Sequence, residues 1–340
     1  MKEKIKAYLK RYFIDAMGAM AQGLFASLLI GTIFNTLGTY LHLDFLADIN
    51  TAAKTVTGAA IGVAIAYSLK AHPLVIYSCA AVGYIANGLG ITIGDKNPTA
   101  GPAGAFFAVI LAAEIGMLVS KKTKVDILVT PTVTILVGFG VSKLVCPGIA
   151  YLMYYIGEFV NTATELQPLL MGIIVSVVVG VVLTLPISSA ALCSMITISG
   201  IAGGAAAVGC CCQMVGFAVC SFRENKWNGL VSQGLGTSML QMGNICRRPQ
   251  IWIPPTLASA ICGPISTMVF QLKCTGVSAG MGTCGLVGPI GIITDTGTDA
   301  MTWIGLILTC IVLPAVISFV TSEIMRKAGW IKFGDMKLDA

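Results

Sequence analysis

Between residues 168 and 222 the chain carries no Asp, Glu, Lys or Arg, and it carries none again between 300 and 322. Each run meets or exceeds the roughly 20 apolar residues with which a helix crosses the hydrocarbon core of a bilayer. In lipid a backbone must satisfy its own N–H and C=O groups, and runs of this length do so as helices. Only 11% of the 340 residues are charged, against about 25% in a soluble globular domain. A water-soluble enzyme is thereby excluded, and the chain reads as an all-α polytopic membrane protein. Its net charge of +6 comes from loop lysines and arginines that orient the spans and is no sign of a nucleic-acid partner.

Apolar runs between charges and Gly/Pro punctuation predict about ten crossings, at 13–40, 53–69, 73–93, 101–120, 129–158, 168–186, 200–222, 227–246, 250–272 and 300–325. The basic clusters are the first residues, Lys70 with His72, the KKTK stretch at 121–124, Arg247 with Arg248, and Arg326, Lys327, Lys332 and Lys337. An even number of spans puts them on one side, so both termini are expected in the cytoplasm of a cell-membrane protein. Lys54, Lys96, Lys143, Lys273, Arg223 and Lys226 break that pattern, which suggests that one or two segments re-enter instead of crossing. The organisation expected is a basic amphipathic lead-in over 1–12, one transport domain over 13–325 and a cytoplasmic tail over 326–340.

Residues 184–195 (TLPISSAALCSM) and 276–299 (GVSAGMGTCGLVGPIGIITDTGTD) combine small residues, Gly or Pro, and hydroxyls. They read as re-entrant hairpins, because irregular backbone at membrane depth persists only where it lines a cavity or is buried in protein. As loops between ordinary helices they would look similar. A weak internal echo pairs AMAQGLFASLL around Gln22 with LVSQGLGTSML around Gln233, and such repeats are common in secondary transporters.

The chemistry-bearing residues are few. Glu114 lies in the apolar run GPAGAFFAVILAAEIGML, where a carboxylate is expensive and so a functional candidate; it equally suits an acid snorkelling toward Lys121. The stretch NGLGITIGDKNPTAGPAG supplies Asn87, Asp95 and Asn97, amide and carboxylate groups suited to a polyhydroxyl ligand, and an exposed loop would share that composition. In SQGLGTSMLQMGNICRR, Gln233, Ser238, Gln241 and Asn244 form a polar stripe at helical spacing, facing either a cavity or another helix. Arg247 and Arg248 follow, as contacts for a phosphate or partner or as positive-inside anchors. Asp295 and Thr296 end a Gly-rich segment with no other charge between Cys274 and Asp295. The twelve cysteines show no C-x-x-C pair and read as small membrane-core residues. No phosphate-binding G-x-x-x-x-G-K-[ST] loop occurs, and neither a metal nor a cofactor is expected.

The ordered set KTKVDILVTPTVTILVG, TLPISSAA, QGLGTSMLQMGN, RRPQIWIPPTLASAICGPISTMVF and SAGMGTCGLVGPIG resembles the membrane subunit, of enzyme IIC type, of the phosphotransferase system, in the branch of perfringolysin-regulator-like membrane proteins. The resemblance spans about residues 12–325. It implies a homodimer whose subunits hold a sugar between a scaffold and a mobile region with two re-entrant hairpins. It also implies cytoplasmic partners, phosphorylated in turn from phosphoenolpyruvate, that phosphorylate the sugar. On this footing Asn87, Asp95, Asn97, Ser188, Ser189, Gln233, Ser238, Gln241, Asn244 and Thr296 would bind hydroxyls, and Glu114 or Asp295 would accept the proton of the attacked hydroxyl. The chain lacks fused phospho-accepting domains and the Gly-Ile-Thr-Glu-type signature of glucose-type relatives. A second reading is therefore a permease without phosphorylation or a membrane sensor, which a Glu114 paired to a base would favour.

Overall fold

The structure, a computed structural model, describes residues 11–41, 43–94 and 96–338. It is helical throughout the described residues, with only two isolated β-bridges, Gly90 with Thr99 and Ile93 with Lys96. The chain divides into two compact units, Met1–Met153 and Tyr154–Ala340.

The first unit begins with α1, residues 11–41, which contains π turns at Arg11–Ala16 and Phe25–Leu29. There follow α2 (Phe45–Thr55), α3 (Thr57–Ser68), α4 (Pro73–Gly88), α5 (Gly101–Val119) and α6 (Asp126–Thr164), within which the division falls. Pro73 and Pro102 sit in the first turns of α4 and α5, where the missing N–H costs nothing. Gly58 and Gly62 of α3, four apart, abut the backbone carbonyls of Gly83 and Cys79 on α4 so closely that a Cβ would overlap them. Such small-residue seams let helices approach in lipid, where apolar side chains gain nothing by leaving the solvent.

The second unit contains α7 (Pro168–Thr184), α8 (Ser189–Met195), α9 (Gly200–Cys220), α10 (Phe222–Val231), α11 (Met242–Arg247), α12 (Pro249–Phe270), α13 (Gly276–Ala279), α14 (Val287–Thr296) and α15 (Ala300–Lys327). Gly172 and Ser176 of α7, Gly209 of α9 and Gly263 of α12 again meet backbone to side, with no room for a Cβ. The interior of this unit is α9, whose every residue from Ala202 to Met214 is buried.

Among the described residues six helices are long and apolar enough to cross a membrane, or seven when α2 and α3, bent by 51°, count as one broken span. This corrects the expected ten. The runs at 73–93 and 168–186 do form apolar helices, but of 16 and 17 residues. The run at 227–246 is not a span: α10 is bent at Lys226, whose φ is +51°, a π turn covers Ser232–Gly236, Thr237 is extended, and a 3-10 turn follows at Ser238–Gln241. The polar spacing that suggested one helix is therefore carried by a broken segment, in which Thr237 caps the next turn by accepting from Met239 N at 3.1 Å.

Candidate functional site

Both stretches expected to break do so, and they meet. After α7 the chain leaves the helix at Leu185, and Ser188 caps α8 by accepting the Ala191 N–H at 3.2 Å. After α12, Gln271 turns left-handed, and residues 272–275 lead without helix into α13, with Thr275 extended. Cys274 N donates to Gly200 O at 3.2 Å and Gly276 N to Ile198 O at 2.9 Å. Ser189 Oγ donates to Gly280 O at 2.6 Å. Two glycines of α9 make the crossing possible, since a Cβ on Gly203 or Gly204 would overlap the carbonyl of Cys274 or Leu272. On the other side of this segment Thr275 Oγ1 donates to Asp295 Oδ2 at 2.8 Å, and Lys273 N donates to Thr296 Oγ1 at 2.8 Å. Ser188, Ser189, Asp295 and Thr296 thus belong to one pair of facing hairpins.

A buried polar cluster lies along α9 in the same unit. Ser238 Oγ and Thr184 Oγ1 are 2.8 Å apart, and Thr184 donates to Gln213 Oε1 at 3.3 Å. Gln213 Oε1 also accepts from Trp252 Nε1 at 3.0 Å, and Gln213 Nε2 donates to Thr256 Oγ1 at 3.2 Å. Thr184, Gln213 and Ser238 have no exposed surface. The remaining stripe residues form a chain beside it: Gln233 Nε2 donates to Ser221 Oγ at 2.8 Å, Gln241 Nε2 to Gln233 Oε1 at 2.9 Å, and Asn244 Nδ2 to Gln241 Oε1 at 2.8 Å. Uncharged amides and hydroxyls in apolar surroundings offer paired donors and acceptors without the desolvation cost of a charge.

Gln213, Trp252 and Thr256 are not among the residues singled out from the sequence, where ionisable residues and clustered polar stretches carry weight and a lone amide in an apolar run carries none. The signal was there: Gln213 is the one side-chain amide in the charge-free run 168–222, where a buried polar group needs a partner. The RENK stretch at 223–226 stands in the sequence only as an exception to the charge rule, yet Glu224 pairs with Arg326 at 2.9 Å.

The other expected residues are placed elsewhere. Glu114 of α5 lies in the first unit, in an ion pair with Arg11 at 2.7 Å and accepting from Tyr12 OH at 2.9 Å. Arg11 also donates to Leu69 O at 3.2 Å. Asn87 ends α4 half-buried, and Asn97 accepts from Thr92 Oγ1 at 2.9 Å in the exposed loop after it; Asp95 lies outside the described residues. Arg247 is exposed. Arg248 faces Asp335 at 3.7 Å and, with Gln250, Gly329, Trp330 and Lys332, lines a cavity of 440 Å³. Every cysteine except Cys246 is buried, and among the described residues no group of three His, Cys, Asp or Glu is placed to hold a metal ion.

Comparison with known proteins adds one finding. The family model described as phosphotransferase system, EIIC, matches residues 14–338. No curated protein and no solved structure matches the chain.

Proposed function

Because the chain belongs to the phosphotransferase-system EIIC family, we propose that this membrane permease component binds a carbohydrate within its second unit. A cytoplasmic partner then phosphorylates the sugar at the expense of phosphoenolpyruvate. The observation that carries this reading is the pairing of the two broken-helix stretches beside a buried, uncharged polar cluster. A sugar hydroxyl is recognised by groups that both donate and accept, and Ser189, Ser238, Gln241 and Asn244 are of that kind. Ser188, Gln233 and Thr296 complete the proposed set; Asn87 and Asn97 belong to the first unit and Asp95 lies outside the described residues, so none of the three is counted in it.

Asp295 is the carboxylate of the paired hairpins and is proposed as the group that accepts the proton of the attacked hydroxyl. Its present partner is a neutral hydroxyl, Thr275, so its charge is uncompensated by any cation of the described residues within salt-bridge distance. Glu114, in the first unit and paired with Arg11, is the second candidate on its sequence context alone. Arg247 and Arg248 are proposed as contacts for the phosphoryl group of the partner, since guanidinium forks match phosphate oxygens; the cavity beside Arg248 leaves them accessible. A homodimer with both termini cytoplasmic, embedded among membrane lipids, is part of the same reading.

One observation favours the second reading, of a non-phosphorylating permease or sensor: Glu114 is paired with Arg11, which removes it as a free proton acceptor in this state. Vesicles containing the purified protein separate the two. Sugar phosphate formed in the lumen only when partner proteins and phosphoenolpyruvate are supplied supports phosphorylation, whereas accumulation of free sugar without them supports the alternative.

A further inference from the structure

Beyond α15 the chain turns at Gly329 and Gly334, both with positive φ, and folds back over α10 and α11. Gln250 Nε2 donates to Trp330 O at 3.0 Å and Gly334 N to Glu224 Oε1 at 3.3 Å. Asn225 clamps the next residues from both sides: its Nδ2 donates to Met336 O at 2.8 Å and its Oδ1 accepts from Leu338 N at 2.8 Å. Ile331 and Met336 are buried, and Met336 has no exposed surface at all.

Two of the bonds that hold this segment come from the proposed sugar-binding amides. Gln241 Nε2 donates to Met336 O at 3.0 Å as well as to Gln233 Oε1, and Asn244 Nδ2 donates to Lys337 O at 2.9 Å as well as to Gln241 Oε1. A primary amide has two N–H bonds, so the donors of both residues are fully engaged while the segment is seated. The N–H groups bound to Met336 O and Lys337 O become available to a ligand hydroxyl only after the segment leaves. We propose that residues 328–338 form an intramolecular strap that closes the polar cluster by occupying its donors with main-chain carbonyls, and that sugar binding requires its release.

Several features suit the strap to leaving. Most of its bonds fall on backbone groups, two glycines form its hinges, its buried side chains are Ile331 and Met336, and its ion pair, Asp335 with Arg248, is long at 3.7 Å, while Trp330, Lys332 and Phe333 are exposed. Binding to a state that is only fractionally populated weakens the apparent affinity by that fraction. If the strap is open in about one molecule in ten, unseating it tightens binding about tenfold.

The proposal rests on the reading that Gln241 and Asn244 bind a carbohydrate, and the test separates the two. Full-length protein and its Met336→Asp variant, which puts a charge at the buried anchor, are compared in detergent. Two measurements are made: tryptic cleavage after Lys337, and affinity for D-glucose, D-mannose, N-acetyl-D-glucosamine and D-mannitol. The expected result is cleavage and sugar affinity both raised about tenfold, with bound sugar accelerating cleavage of the unaltered protein. Faster cleavage with unchanged or weaker sugar affinity overturns the strap and leaves the carbohydrate reading standing. Faster cleavage with no response of either protein to any of the four compounds overturns both. Should Met336→Asp fail to fold, Asn225→Ala removes two strap bonds without touching Gln241 or Asn244, and the same outcomes decide.

Discussion

Glu224 and Arg326 meet at 2.9 Å with the carboxylate side chain fully shielded and the guanidinium side chain only 9% exposed. The same nitrogen donates to Cys220 O at 3.0 Å, so the pair ties α10, the end of α9 and the end of α15 together. Removing one partner of a buried pair leaves a charge uncompensated, at about 3–5 kcal/mol. Glu224→Gln should therefore lower the melting temperature in detergent markedly. Because Arg326 Nε is already without a partner among the described residues, replacing both residues, as Glu224→Gln with Arg326→Met, should recover much of that loss. Additive losses in the double variant would show that the two side chains are not coupled.

Asp295→Asn keeps an acceptor for Thr275 but cannot take up a proton, and it should reduce phosphorylating uptake by about 100-fold or more if Asp295 is the base. Glu114→Gln leaves Arg11 facing a neutral amide and should impair uptake and stability together. Initial rates in vesicles, read beside melting curves, distinguish the two effects. Wild-type uptake in both variants would remove both acids from the site.

Arg247→Gln should leave sugar affinity unchanged and weaken only the step that depends on the phosphorylated partner. Sugar binding by calorimetry and sugar-phosphate formation with saturating partner test this directly. An equal loss in both would place Arg247 in the sugar site.

Gly203→Ala drives a methyl into the Cys274 carbonyl and should cost about 1–3 kcal/mol, with loss of sugar binding as the segment 272–275 is pushed off α9. Gly140→Ala, where nothing lies within 4 Å, should stay within about 0.5 kcal/mol of the parent. Paired thermal melts, with and without sugar, read both effects.

Cys246 is the exposed thiol among the twelve cysteines, and one maleimide per chain should label the native protein. Its thiol is accessible yet partly desolvated by the protein around it, which raises its pKa above the usual thiol value. The thiolate is the reactive form, so labelling should be slow at neutral pH and accelerate about tenfold per pH unit below the pKa. A rate flat between pH 7 and pH 9 would contradict the raised value.

Much of the architecture was legible because a bilayer forbids ambiguity: a charge-free run of the length of 200–220 has few options besides a helix. The two hairpin stretches were equally visible, since Pro186 and the close-set Gly280, Gly282 and Gly285 combine with hydroxyl-bearing residues in segments too irregular for one continuous helix. The segment 227–246 was misread. Its polar residues recur at helical spacing and no proline interrupts them, while beside the break at Thr237 the next residue, Ser238, meets the distant Thr184. The seating of 328–338 was invisible for another reason: the amides of Asn225, Gln241 and Asn244 grip its main-chain groups, which every sequence carries. Charged, Gly-containing residues therefore looked like a solvated tail.

The crossing of the two hairpins depends on backbone bonds between 198–200 and 274–276 and on the absence of side chains at Gly203 and Gly204. The side-chain bonds described there are few: Ser189 to Gly280 O, Thr275 to Asp295 and Lys273 N to Thr296. The side chains that point away from this crossing are consequently free to change identity without disturbing it. A lineage built on such a framework can exchange one small polar ligand for another by altering a handful of hydroxyls and amides, while the membrane-embedded frame that presents them stays the same.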